Sequence, residues 1–145
     1  MFVPKKDRGR TELWIAKVNQ RGSARALLEP PVQVNGRSFN QVFSPKFSAD
    51  SAAVYFLIPY AATSQAIVRV RIATPEPEFI AAAENFDVVR AGRYRGCLVA
   101  KIRKAKLAPG YYEWYWLLTP EGKEIAVVGQ DERDVALFME QEQIR

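Results

Sequence analysis

The sequence predicts a mainly β protein, an antiparallel β-sandwich or barrel finished by a short C-terminal helix. Three observations carry that expectation. Short apolar runs recur with turn signals at roughly ten-residue spacing, the rhythm of small all-β domains. Within Val32-Gln33-Val34-Asn35-Gly36-Arg37-Ser38-Phe39, an Asn-Gly pair separates two alternating runs. Asn-Gly is the preferred two-residue hairpin turn because both central residues need φ > 0. After Asp131 the pattern changes, and Val135, Phe138 and Met139 fall at i, i+3 and i+4, the spacing of one helix face. A chain of 145 residues fits one such domain and buries a core without disulfide staples.

Residues 1–12 are polar and basic with Pro4 and Gly9, and read as a flexible basic arm that orders on a partner. That leaves 13–145 as a single β-rich domain ending in a helix at about 131–143. Residues 13–18 form a first strand, Gln20-Arg21-Gly22-Ser23 a turn, and 24–28 a second short strand. Pro30-Pro31 interrupts pairing, because proline has no N–H for the ladder. Residues 51–60 are almost continuously apolar, as a central strand covered on both faces must be. Residues 66–73 alternate, with Val68, Val70 and Ile72 inward and Arg69 and Arg71 outward.

Pro75-Glu76-Pro77 ends that strand, and the alanines of 79–85 favour one or two helical turns. Residues 93–102 alternate around Gly92 and Gly96 as a further strand, followed by a Pro109-Gly110 turn. Tyr111-Tyr112-Glu113-Trp114-Tyr115-Trp116-Leu117-Leu118 is an aromatic strand, since aromatic side chains fit a pleated surface. Thr119-Pro120-Glu121-Gly122-Lys123 turns the chain into a return strand over 124–128. Asp131 caps the closing helix, with acids in its first turn and Arg145 at its end, in accord with the helix dipole.

The stretch from Gly92 to Val128 resembles the last three strands of bacterial and phage immunoglobulin-like sandwiches. The matching features are a basic strand, then Leu107-Ala108-Pro109-Gly110-Tyr111-Tyr112, a strand with alternate aromatics, and a return strand after Pro120-Glu121-Gly122-Lys123. The resemblance covers about a quarter of the chain and lacks the Cys–Trp–Cys core of antibody domains, since Cys97 is the sole cysteine. It implies an immunoglobulin-like sandwich and no activity.

Composition removes most chemistry. There is no histidine, so serine or cysteine nucleophiles activated by imidazole and histidine-ligated zinc are excluded. One cysteine excludes an internal disulfide and multi-cysteine metal sites. The single Gly-Lys pair, Gly122-Lys123, lacks the rest of a phosphate loop. Cys97 follows two arginines but precedes Leu98-Val99 and reads as an inert strand thiol. Glu113 among aromatics has no second carboxylate to complete an acid–base pair. Glu76, Glu78, Glu84 and Asp87 lack the spacing of a calcium loop. The expectation is therefore no catalytic residue, no metal and no cofactor, with a hydrolase built on carboxylates the weakest reading. No apolar run reaches membrane-spanning length and the first residues lack the apolar core of a secretory signal, so no membrane and a cytoplasmic or virion location are expected.

Charge is what remains. The formal net charge is +5, but it is segregated. Residues 1–25 hold seven basic residues against Asp7 and Glu12, residues 88–106 hold seven and no acid, and residues 121–145 hold seven acids against three basic residues. Such asymmetry points to an anionic or acidic partner, or to contact between copies of the chain. The expected contact residues are Lys5, Lys6, Arg8 and Arg10 of the arm, Arg93, Arg95, Lys101, Arg103 and Lys104 of the basic segment, and Tyr111, Glu113 and Tyr115 of the aromatic strand. Both faces of that strand are mostly apolar, so either both are buried or one meets a partner. These features favour a non-enzymatic interaction or structural module that assembles onto itself or a larger particle. In size and lack of chemistry it is similar to small capsid-decorating or tail-associated phage proteins. The alternative is a nucleic-acid-binding protein that uses the basic strand and its neighbouring aromatics to hold a single strand by charge and stacking.

Overall fold

The structure, a computed structural model, describes residues 2–7, 10–61, 64–105 and 110–144. Two strands, β1 (Phe2–Asp7) and β2 (Arg10–Ile15), form a hairpin, and β3 (Arg25–Leu28) pairs with β2 to make an N-terminal sheet. Strands β4 (Val32–Val34) and β5 (Arg37–Phe39) pair around Asn35 and Gly36, whose φ values of 50° and 76° are those the Asn-Gly turn requires. A central sheet follows in the order β6 (Phe43–Phe47), β7 (Ala53–Ala61), β8 (Ser64–Arg71) and β9 (Pro77–Ala82). An outer sheet has the order β10 (Asn85–Val88), β11 (Leu98–Ala105), β12 (Tyr111–Leu118) and β13 (Glu124–Gly129). Helix α1 (Glu132–Ile144) closes the described chain, its first turn capped by the Asp131 carboxylate, which accepts from the Asp134 N–H at 3.1 Å.

Every pairing among the described strands is antiparallel and no sheet closes into a barrel. The sheets stack instead. Side chains alternate across a strand, so β7 sends Val54, Phe56 and Ile58 to one face and Tyr55 and Leu57 to the other. The first set packs with Leu13, Leu27 and Leu28 of the N-terminal sheet and with Val32, Val34 and Phe39 of the β4–β5 hairpin. The second packs with Phe86, Val88, Leu98, Ala100 and Leu118 of the outer sheet. On the far face of the outer sheet, Val89, Val99, Tyr115 and Leu117 are covered by Val135, Phe138 and Met139 of α1. The central sheet is thus buried on both faces, which is why its first long strand reads as an unbroken apolar run.

Four local expectations change. Segment 1–12, expected as an arm, supplies β1 and the beginning of β2, paired in register from Phe2 with Ile15 to Asp7 with Arg10. Residues 79–85 are not helical: β9 and β10 take them, because pairing and burial of Ile80, Ala83 and Phe86 outweigh the helix propensity of alanine. The strand expected over 93–102 begins at Leu98, since Gly92 and Gly96 hold φ of 82° and 94° in a turn no strand accommodates. Arg69 does not point to solvent. The outer sheet and its Pro120 turn cover that face, leaving Arg69 only 7% exposed.

Candidate interaction surface

Strands β11 and β12 pair in one continuous register from Leu98 with Leu118 to Ala105 with Tyr111. Their two ends lie in different surroundings. At the inner end Leu98, Val99, Ala100, Tyr115, Leu117 and Leu118 are all buried, clamped between the central sheet and α1. Toward the outer end this cover thins, with Ile102 and Trp116 the last residues packed against the cluster shared with the central sheet. Tyr112, Trp114 and Trp116 are half-buried on one face, and Tyr111 on the other is 70% exposed. The question posed by a strand apolar on both faces therefore has a split answer: its inner end is core on both sides and its outer end is surface.

The cations of this ribbon are held by acids of the same chain. Arg103 lies directly across from Glu113 and contacts it at 2.8 Å, with Lys101 at 3.5 Å from the same carboxylate. The Arg103 guanidinium, aided by Lys101, holds the Glu113 carboxyl below the usual carboxylate range, so Glu113 is a fixed anion rather than a proton donor. Lys104 pairs with Glu124 of β13 at 2.8 Å and places its ammonium 3.8 Å from the centre of the Trp116 ring. Beneath it, the Trp116 indole N–H is buried without a hydrogen-bond partner among the described residues. Tyr112 and Trp114 meet edge to face at 5.2 Å between ring centres.

The structure separates the other expected contact residues. Tyr115 is 7% exposed beneath α1 and belongs to the core, because it alternates toward the helix-covered side of β12. Arg93 sits at the far end of α1, its backbone N–H donating to the Glu142 carboxylate at 3.1 Å and its guanidinium to the Tyr94 hydroxyl. Arg95 lies elsewhere again, donating to the Ala49 carbonyl at 3.1 Å. Lys5 and Lys6 fall on β1 and Arg10 opens β2, but the side chains of these three, and the whole of Arg8, lie outside the described residues. The basic segment is therefore not one track: Arg93 and Arg95 flank the body, and Lys101, Arg103 and Lys104 lie on the ribbon's two faces.

A cleft of about 470 Å3 opens between the central sheet and the β12–β13 turn, lined by Tyr55, Arg69, Arg71, Arg95, Pro120 and Glu121 among others. Its guanidinium groups are already engaged. Arg69 donates to the Glu78 carboxylate at 2.7 Å and the Pro120 carbonyl at 3.2 Å, Arg71 to Glu78 at 3.2 Å, and Arg95 to Ala49. The cleft is a largely paired polar seam between two sheets, with the buried Nε of Arg69 alone lacking a hydrogen-bond partner among the described cleft residues. Burial pushes the Cys97 thiol up, the opposite of what a nucleophilic cysteine requires.

Two surface residues escaped the sequence reading. Ile125 and Val127 of β13, in the expected return strand over 124–128, are 45% and 47% exposed on an edge strand. The available signal was four uncharged residues, Ile125-Ala126-Val127-Val128, in the last strand before the helix. No protein-family model matches the chain, and neither a curated protein nor a solved structure matches it.

Proposed function

We propose that the chain is a non-enzymatic interaction or structural module, assembling onto itself or onto a larger particle through the outer end and free edge of the outer sheet. One observation carries this reading. Tyr111, Tyr112 and Trp114 at the outer end of β12, with Ile125 and Val127 on β13, leave aromatic and aliphatic surface exposed or half-buried. Aromatic residues in such positions are the anchors of protein interfaces. Pairing of Lys101, Arg103 and Lys104 with Glu113 and Glu124 supports a protein partner over nucleic acid, because phosphate contact would compete with carboxylates already in place.

The test joins two measurements. Solution mass is followed across protein concentration, and binding is titrated against single- and double-stranded DNA and RNA at two salt concentrations. Self-association, or absence of nucleic-acid binding at low salt, is expected. Tight binding that weakens steeply with salt overturns this reading in favour of nucleic-acid recognition.

A further inference from the structure

The two edges of the outer sheet are finished differently. At β10 the Asn85 and Asp87 side chains accept hydrogen bonds from the Phe86 and Val88 N–H groups at 2.9 and 2.8 Å. The Lys46 ammonium donates to the Phe86 carbonyl at 2.7 Å. That edge is plugged by its own side chains and by a neighbouring sheet. At β13, among the described residues, no side chain caps the backbone of 125–128, and those residues bring neither charge nor proline. The ladder to β12 shifts register at Ile125 and at Val128, and between these two irregularities Ala126 and Val127 pair regularly with Leu117 and Trp116. An apolar edge without caps, charge or proline is a template for another strand.

The flanking charges say which strand. Lys123 stands four residues before Val127, and Asp131 four residues after it. If β13 meets a second β13 antiparallel about a two-fold axis at Val127, Lys123 of each copy faces Asp131 of the other. Glu124 then faces Gln130, and Ile125 faces Gly129. Opposite charges across a ladder favour pairing and like charges oppose it. A parallel, in-register pairing would set Lys123 against Lys123 and Glu124 against Glu124. The helix cap uses Oδ1 of Asp131, which leaves Oδ2 for the lysine. A two-fold contact is also the usual self-complementary solution for a dimer.

We propose that β13 is a homodimerisation edge: two copies pair antiparallel through β13 about Val127, joining two four-stranded outer sheets into one. This rests on the interaction-module reading and names its partner as a second copy of the chain. Val127 and its symmetry mate meet at the axis, flanked by the exposed Ile125 side chains.

Sedimentation of the full chain from low to high micromolar concentration tests it. Wild type is expected to move from monomer to dimer. Val127→Lys, which sets two ammonium groups face to face at the axis, stays monomeric with an unchanged circular dichroism spectrum. Lys123→Asp weakens the dimer at least tenfold, and adding Asp131→Lys to the same chain restores it. In a Cys97→Ser background, Val127→Cys cross-links to a covalent dimer under mild oxidation. Ile125→Cys does not, because four residues at about 3.4 Å each keep the two thiol positions roughly 13 Å apart. Disulfides need Cα atoms about 4.4–6.8 Å apart. A dimer that tolerates Val127→Lys and cross-links no faster at 127 than at 125 overturns the β13 proposal and leaves the module reading with another surface. A monomer at every concentration also overturns it, and leaves that reading to assembly on a different protein. Salt-sensitive nucleic-acid binding overturns the reading beneath both.

Discussion

Strands β10 and β13 bound the same sheet, but the chain spends its polar side chains on one of them only. Asn85, Asp87 and Lys46 close the outward backbone groups of β10, whose Phe86 is 2% exposed in the core between two sheets. β13 carries exposed Ile125 and Val127 with no comparable closure among the described residues. The difference teaches that this fold blunts an edge where a neighbouring sheet packs against it and leaves bare the edge that projects. The same division runs along β12, whose inner aromatic Tyr115 is core and whose outer Tyr111 is surface.

The largest expected effect sharpens this contrast directly. Phe86→Ala should cost about 3–5 kcal/mol in a denaturant melt, because it empties a filled core site. Val127→Ala, at protein concentrations too low for association, should stay within about 0.5 kcal/mol of wild type. Equal losses at the two edges would erase the distinction.

Next comes the interior boundary of the central sheet. Glu78→Gln removes the carboxylate closest to the buried Arg69 guanidinium, leaving Glu121 at 4.0 Å, and should cost about 1–3 kcal/mol at neutral pH. Arg69, with help from Arg71, holds the Glu78 carboxyl below the usual carboxylate range. Its stabilising contribution is therefore complete above the unfolded-state value, and fades as pH falls below that value until it vanishes beneath the folded one. Thermal melts from neutral to strongly acid pH should show a shallower acid limb in Glu78→Gln than in wild type.

Asp87→Ala should cost about 1 kcal/mol, since it uncaps the Val88 N–H and removes the partner 3.6 Å from Lys46. It also unplugs β10, so light scattering on prolonged incubation should rise. If scattering stays flat, capping is not what keeps that edge single. The smallest effect belongs to Glu113→Gln on the exposed ribbon, whose midpoint should stay close to wild type and lose what salt dependence this ion pair confers.

How much of this was legible depended on whether the deciding force was local. The Asn35-Gly36 hairpin appeared in its place because φ > 0 is a property of two adjacent residues. The run that became β7 announced burial on both faces, and Asp131 announced the cap of α1. Residues 79–85 misled because alanine's preference for helix is weak beside strand pairing. Arg69 misled because alternation reveals which residues share a face, not whether another sheet covers it. The contact surface was half legible. The expected residues Lys101, Arg103, Lys104, Tyr111 and Glu113 share one ribbon, whereas Arg93, Arg95 and Tyr115 are dispersed to other surroundings by the glycine turn and by α1. Charge runs counted along the chain could not show that Glu113 and Glu124 arrive from neighbouring strands to neutralise them.

The indole of Trp116 has a use beyond packing. It lies under the Lys104 ammonium, its N–H without a partner among the described residues, with Val127 opposite it in the ladder. A strand arriving at β13 removes water from the residue beside this fluorophore and alters the field of the ammonium above it. If β13 pairs as proposed, tryptophan emission should shift to the blue with rising concentration, and Trp116→Phe should remove that shift.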